Sequence, residues 1–115
     1  MSVKIFHNPR CSKSRQTLQI LEEQNADPII IEYLKTPLSE EDLGDILNKL
    51  GMEPRDILRK GEKIYKELGL ADKNLSDTQI ITAMVSNPIL IERPIVITPK
   101  GAKIGRPPES VLEVL

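Results

Sequence analysis

Residues 3–33 read VKIFHNPRCSKSRQTLQILEEQNADPIIIEY, and this stretch decides the fold. Val3-Lys4-Ile5-Phe6 is a short strand, stopped by Asn8-Pro9. The helix predicted after it carries Leu18 and Leu21 on one face and runs to about Gln24. Ile29-Ile30-Ile31-Glu32-Tyr33 is then a β-branched apolar run of strand length, the pattern of a strand buried on both faces. Strand, helix and strand in about thirty residues make a βαβ unit, with a parallel pair and a right-handed crossover.

Outward from this unit the pattern turns helical. Ser39 with Asp42 forms a capping box, and Leu43, Ile46, Leu47 and Leu50 recur at helical spacing until Gly51. A second helix spans about Glu62 to Leu68 and stops at Gly69. A third begins at Ser76 with Gln79 as its box partner, turns Ile80, Ile81 and Met84 inward, and breaks at Asn87-Pro88. The period then changes to two: Ile95–Thr98 and Ala102–Ile104 flank the three-residue loop Pro99-Lys100-Gly101. Pro107-Pro108 opens a last helix expected to bury Val111, Leu112 and Leu115. The order predicts one domain over 1–115. It is an α/β, thioredoxin-like mixed sheet flanked by helices, with a helical insert at approximately 39–88.

The single cysteine, Cys11, falls where the first strand ends and the first helix begins, the end of the sheet at which open α/β folds place ligands. One thiol makes no internal disulfide, and with one histidine in the chain there is no four-ligand zinc site; no metal is expected. A lone cysteine is often a small core hydrophobe. Here the neighbours Arg10, Ser12, Lys13 and Ser14 are polar and partly cationic, and a helix N-terminus stabilises a thiolate. The reactive reading is preferred, with an exposed, acidic thiol as its consequence.

Composition narrows the class. A formal net charge of -1 and only three aromatic residues (Phe6, Tyr33, Tyr65) argue against nucleic acid. No apolar stretch reaches membrane-spanning length and no leader pattern opens the sequence, so no membrane contact is expected. The unpaired cysteine suggests a reducing, cytoplasmic setting.

Five motifs then carry a resemblance. His7-Asn8-Pro9-x-Cys11-Ser12-x-Ser14-Arg15, Leu58-Arg59-Lys60, Tyr65-x-Glu67-Leu68-Gly69-Leu70, Asn87-Pro88-Ile89-Leu90-Ile91-x-Arg93-Pro94-Ile95-Val96 and Gly105-Arg106-Pro107-Pro108-Glu109 resemble those of the glutaredoxin-coupled, glutathione-dependent arsenate reductases, in order and spacing. The resemblance implies reduction of arsenate to arsenite, with glutathione as co-substrate, glutaredoxin as partner and no bound cofactor. It implies Cys11 as nucleophile and Arg59, Arg93 and Arg106 as oxyanion ligands. It also places a cis proline at Pro94, where base rates alone favour trans.

The residue types suit that chemistry. Arginine forks meet two oxygens of a tetrahedral oxyanion and keep their charge. Arg93 and Arg106 each interrupt or end an apolar stretch, where a charge needs a reason to be. Ser14 stands where a C-x-x-C motif has its second cysteine; its hydroxyl, like that of Ser12, either bonds the thiolate or caps the first helical turn. His7 either assists with a proton, holds Asn8, or is satisfied by backbone at the strand end; Asn8 shapes the loop. Arg15, one turn beyond Cys11, is a minor charge partner or solvated. Phosphatase-like chemistry needs an arginine at the sixth position after the cysteine, and that residue is Thr17. The rival within the fold is a thiol-regulated transcription factor that binds RNA polymerase; such proteins use C-x-x-C, and this chain has Cys11-x-x-Ser14.

Overall fold

The computed structural model describes residues 2–115. They form two compact units: one runs from the N-terminus to Thr36 and resumes at Arg93–Leu115, and the other is Pro37–Glu92.

The first unit holds a four-stranded mixed sheet, β1 (Lys4–Phe6), β2 (Ile29–Ile31), β3 (Ile95–Thr98) and β4 (Gly101–Ile104), in the order β2-β1-β3-β4. β1 pairs in parallel with β2 and antiparallel with β3, and β3 pairs antiparallel with β4. Helix α1 (Ser12–Glu23) connects β1 to β2. Ile5 and Val96 from the sheet, Leu21 from α1 and Val111 from the C-terminal segment are fully buried together. Burial of four such side chains supplies several kcal/mol of hydrophobic stabilisation, at about 1.5–3 kcal/mol each, and fixes α1 on that face.

Three expectations change here. β2 is an edge strand, and Ile29 and Ile30 are each 50% exposed, so the triple isoleucine run is not a doubly buried strand. Its β-branched residues satisfy strand propensity, and Pro28 with the strand's shortness limits further pairing. The hairpin turn is tighter than expected, because Gly101 already pairs with Thr98. The last helix is a 3-10 helix, Pro108–Val114. With three residues per turn, Pro108, Val111 and Val114 face inward; Leu115 packs partly buried against the same core as expected, and of the expected set only Leu112 is exposed.

The Pro37–Glu92 unit is helical: α2 (Glu40–Leu50), a 3-10 turn at Pro54–Ile57, α3 (Lys63–Glu67), α4 (Asp77–Ser86) and a second 3-10 turn at Pro88–Leu90. Both expected capping boxes form, Ser39 with Asp42 and Ser76 with Gln79. Gly51 ends α2 in the left-handed conformation that Gly adopts without a Cβ penalty. Leu43, Ile46, Leu47, Ile57, Ile80, Met84 and Leu90 make the core. Leu58 and Ile91 form an isolated antiparallel bridge, which sets Arg59 and Glu92 on neighbouring extended segments. No described helix is long and apolar enough to cross a membrane.

Candidate active site

The loop from β1 to α1 is a tight turn. The Cys11 N–H donates to the Asn8 carbonyl at 3.0 Å, with Pro9-Arg10 at the corner, where proline's fixed φ is suited. Asn8 Oδ1 accepts from the Arg10 N–H at 3.0 Å, so Asn8 does shape the loop. Arg15 clamps the same turn, donating from Nη1 to the Pro9 carbonyl at 2.9 Å. It is a loop brace.

Cys11 is thereby placed as the N-cap of α1. No side-chain oxygen caps the helix and no acidic residue stands in its first turn, so no carboxylate there competes for the positive end of the helix. Burial raises the thiol's pKa. Hydrogen bonding and charge from Arg93, with the Ser14 and Lys13 N–H groups, outweigh that effect and hold it below the ordinary value. Arg106 adds a direct contact, its Nη2 3.4 Å from Sγ. The expectation of an acidic thiol stands. The expectation of an exposed one does not, since Cys11 is only 9% exposed. A sulfur ringed by helix N–H groups and guanidinium donors is covered by the very groups that stabilise it.

Arg106 is anchored by backbone. Its Nε donates to the Arg93 carbonyl at 2.7 Å, and its N–H donates to the Ile104 carbonyl at 2.9 Å. The Arg93–Pro94 bond is cis, as the resemblance implied, and so is Arg106–Pro107, for which the sequence carried no sign. The structure therefore brings Arg93, Arg106 and Pro94 into the same local construction as Cys11.

Ser14 behaves differently from either expectation. Its hydroxyl, fully buried, accepts from the Asn8 N–H at 3.0 Å and lies 2.7 Å from His7 Nδ1. The hydroxyl keeps its proton and a second lone pair beyond the one Asn8 engages, so it serves Nδ1 as donor or as acceptor according to the imidazole tautomer. What Ser14 offers the sulfur is its backbone N–H. Burial lowers the His7 pKa, Glu32 partly opposes this and Arg15 adds to it, so His7 is neutral near pH 7. It is satisfied by Ser14, not by backbone, and it holds Asn8 through that hydroxyl. Ser12 is exposed at the first position of α1.

Arg59 lies in the Pro37–Glu92 unit. Its Nε donates to Glu62 at 3.0 Å and its Nη1 to Glu92 at 2.5 Å. These two carboxylates were not singled out in the sequence. The available signal was Glu92 standing next to Arg93 after an apolar run, which marks a charge in need of a partner. Among the described residues no group of three or more His, Cys, Asp or Glu is arranged to hold a metal ion.

A thioredoxin-like sheet whose first strand delivers one arginine-bonded cysteine to a helix N-terminus defines a class of single-thiol proteins with a site suited to an anion. The chain belongs to the ArsC family, which it matches over residues 6–114. It is 54% identical over 114 residues to the uncharacterized Escherichia coli (strain K12) protein YfgD, covering 98% of this chain and 96% of that one. It is 48% identical over 116 residues to an arsenate reductase of Haemophilus influenzae, with both chains covered in full. The structure of an arsenate reductase from Vibrio cholerae superposes with a TM-score of 0.97 at 52% identity, covering 100% of this chain and 98% of that chain.

Proposed function

We propose that this protein is an arsenate reductase that works through Cys11 and draws its electrons from glutathione, with glutaredoxin closing the cycle. One observation carries the reading: the Cys11 sulfur lies 3.4 Å from Arg106 Nη2 at the N-terminus of α1, where the Arg93 charge also favours its thiolate. The same donors that favour a thiolate favour a tetrahedral oxyanion brought up to it. The names of the Haemophilus influenzae and Vibrio cholerae relatives support arsenate as that anion.

In the proposed cycle the Cys11 thiolate attacks arsenic, an S–As bond forms, and an arsenate oxygen leaves as water after taking a proton. Arg93 and Arg106 neutralise the oxygens that hold charge as the bond forms. Glutathione thiolate then attacks the Cys11 sulfur. An S–S bond forms, the S–As electron pair passes to arsenic, and arsenite departs; the two thiols are oxidised and As(V) becomes As(III). A glutaredoxin thiol exchanges with the mixed disulfide and returns Cys11 to thiolate. The external thiol is required because Cys11 is the only cysteine of the chain and Ser14 occupies the position of a resolving one. The cycle needs no bound cofactor, and an unpaired nucleophile of this kind suits a reducing compartment such as the cytoplasm.

The test is arsenate-dependent NADPH oxidation coupled through glutathione, glutaredoxin and glutathione reductase. Turnover that needs all three components supports the reading. A folded, thiol-reactive protein with no arsenate-dependent oxidation contradicts it. A single-turnover reaction of reduced protein with arsenate and no added thiol adds a second check. Stoichiometric arsenite there, with or without a disulfide-linked dimer, contradicts the external-thiol step.

A further inference from the structure

Gly105 sits between Ile104, the last residue of β4, and Arg106. Its φ is not in the left-handed region, so conformational freedom does not explain a glycine here. Space does. A Cβ at this position would lie 2.8 Å from Pro94 Cγ and 3.1 Å from Thr17 Cγ2, and closer still to Thr17 Oγ1. Neither neighbour yields easily. Thr17 is fully buried and its hydroxyl donates to the Lys13 carbonyl at 2.8 Å, one turn back on α1. Pro94 is buried, and its carbonyl accepts from the Gly105 N–H at 2.9 Å.

These contacts link the two sides of the thiol. Thr17 belongs to the helix whose first turn presents Lys13 and Ser14 N–H groups to Cys11, and Gly105 leads directly into Arg106. The Arg106–Cys11 contact is 3.4 Å, an ordinary length for an N–H donor to sulfur, and it weakens as the guanidinium is moved away. We propose that Gly105 is a positioning residue: its missing side chain lets the chain pass between Thr17 and Pro94, and this gap sets how closely Arg106 approaches Cys11. The inference rests on the site read above as the reactive one.

The experiment uses the full chain and two readouts, the pH midpoint of Cys11 alkylation and arsenate turnover. Gly105→Ala should move the midpoint toward that of an ordinary thiol and lower turnover about tenfold or more, since small misplacements of reacting groups carry large rate costs. Adding Thr17→Ala, which removes both Thr17 atoms from the gap, should restore most of both. Adding Thr17→Val, which keeps the bulk and loses the hydroxyl, should not. A Gly105→Ala protein with wild-type midpoint and turnover overturns the proposal, as does one that Thr17→Ala and Thr17→Val restore equally. If Gly105→Ala does not fold, Thr17→Ile thickens the helix side of the same gap and should shift both readouts alike; an unchanged midpoint and turnover there overturns the proposal. The midpoint needs no arsenate. A wild-type protein with an acidic thiol and no turnover would therefore fail the functional reading while leaving this inference open to the midpoint arm.

Discussion

Arg93 and Arg106 in the first unit and Arg59 in the Pro37–Glu92 unit are the same residue turned to different acids. Arg93 and Arg106 turn donors to a sulfur that can lose its proton. Arg59 turns its donors to the side chains of Glu62 and Glu92. A guanidinium beside two carboxylates keeps its proton firmly and contributes little net positive field. One beside a thiol shifts a titration. The contacts differ in the acid that receives the donors, and Arg93 and Arg106 were already set apart in the sequence by interrupting or ending apolar stretches.

The comparison breaks most visibly if Cys11 is not the acid that matters. Cys11→Ser should lower arsenate turnover at least about a thousandfold, as loss of a nucleophile does, with the thermal unfolding midpoint preserved. Next come the arginines that meet the thiol. Arg93→Lys and Arg106→Lys keep the charge and lose the fork, and each should lower turnover by roughly ten- to a hundredfold. Both should also raise the Cys11 midpoint. Arg59→Lys sharpens the contrast, because the carboxylates still find a cation; turnover should stay within about threefold of wild type. A fall as deep as that of Arg106→Lys would erase the distinction between the two settings.

The smallest effect concerns stability. Burial favours neutral His7 in the folded chain, while unfolding returns it to about 6.5. Below that value the unfolded chain takes up the proton first, so stability falls as pH drops from about 6.5 toward the lowered folded value, by at most about 1.4 kcal/mol per pH unit. Above about 6.5 His7 adds no pH dependence. Urea unfolding of wild type and His7→Gln between pH 7 and 5 checks this, and the variant should show a shallower acid slope.

Much of this was legible because local signals and tertiary structure agreed. The strand-turn-helix around Cys11, both capping boxes and the hairpin all follow from residues within a turn of one another. What was misread depended on distant partners. Ile29 and Ile30 read as core because their β-branched run says strand and not which strand of the sheet. Leu112 read as buried because apolar spacing does not distinguish a 3-10 turn from an α-helical one in seven residues. At the site, the place of Cys11 at the start of α1 and the loop role of Asn8 were readable from local residues, whereas the pairing of Arg93 and Arg106 with Cys11 was implied only by the resemblance. The hydroxyl of Ser14 was assigned to the wrong neighbour, since His7, seven residues away, meets it only through the turn geometry. The Gly105 gap was hidden altogether: its two walls come from α1 and from the residue before β3.

The central claim is that Cys11 is held ready as a thiolate by Arg93, Arg106 and the α1 N-terminus, and the rate of its alkylation as a function of pH tests this directly. The midpoint should fall well below that of a free thiol near pH ~8.5. It should move little between low and high salt, because a nearly buried sulfur and its donors are poorly screened. A midpoint at or above ~8.5 in folded protein would contradict the claim.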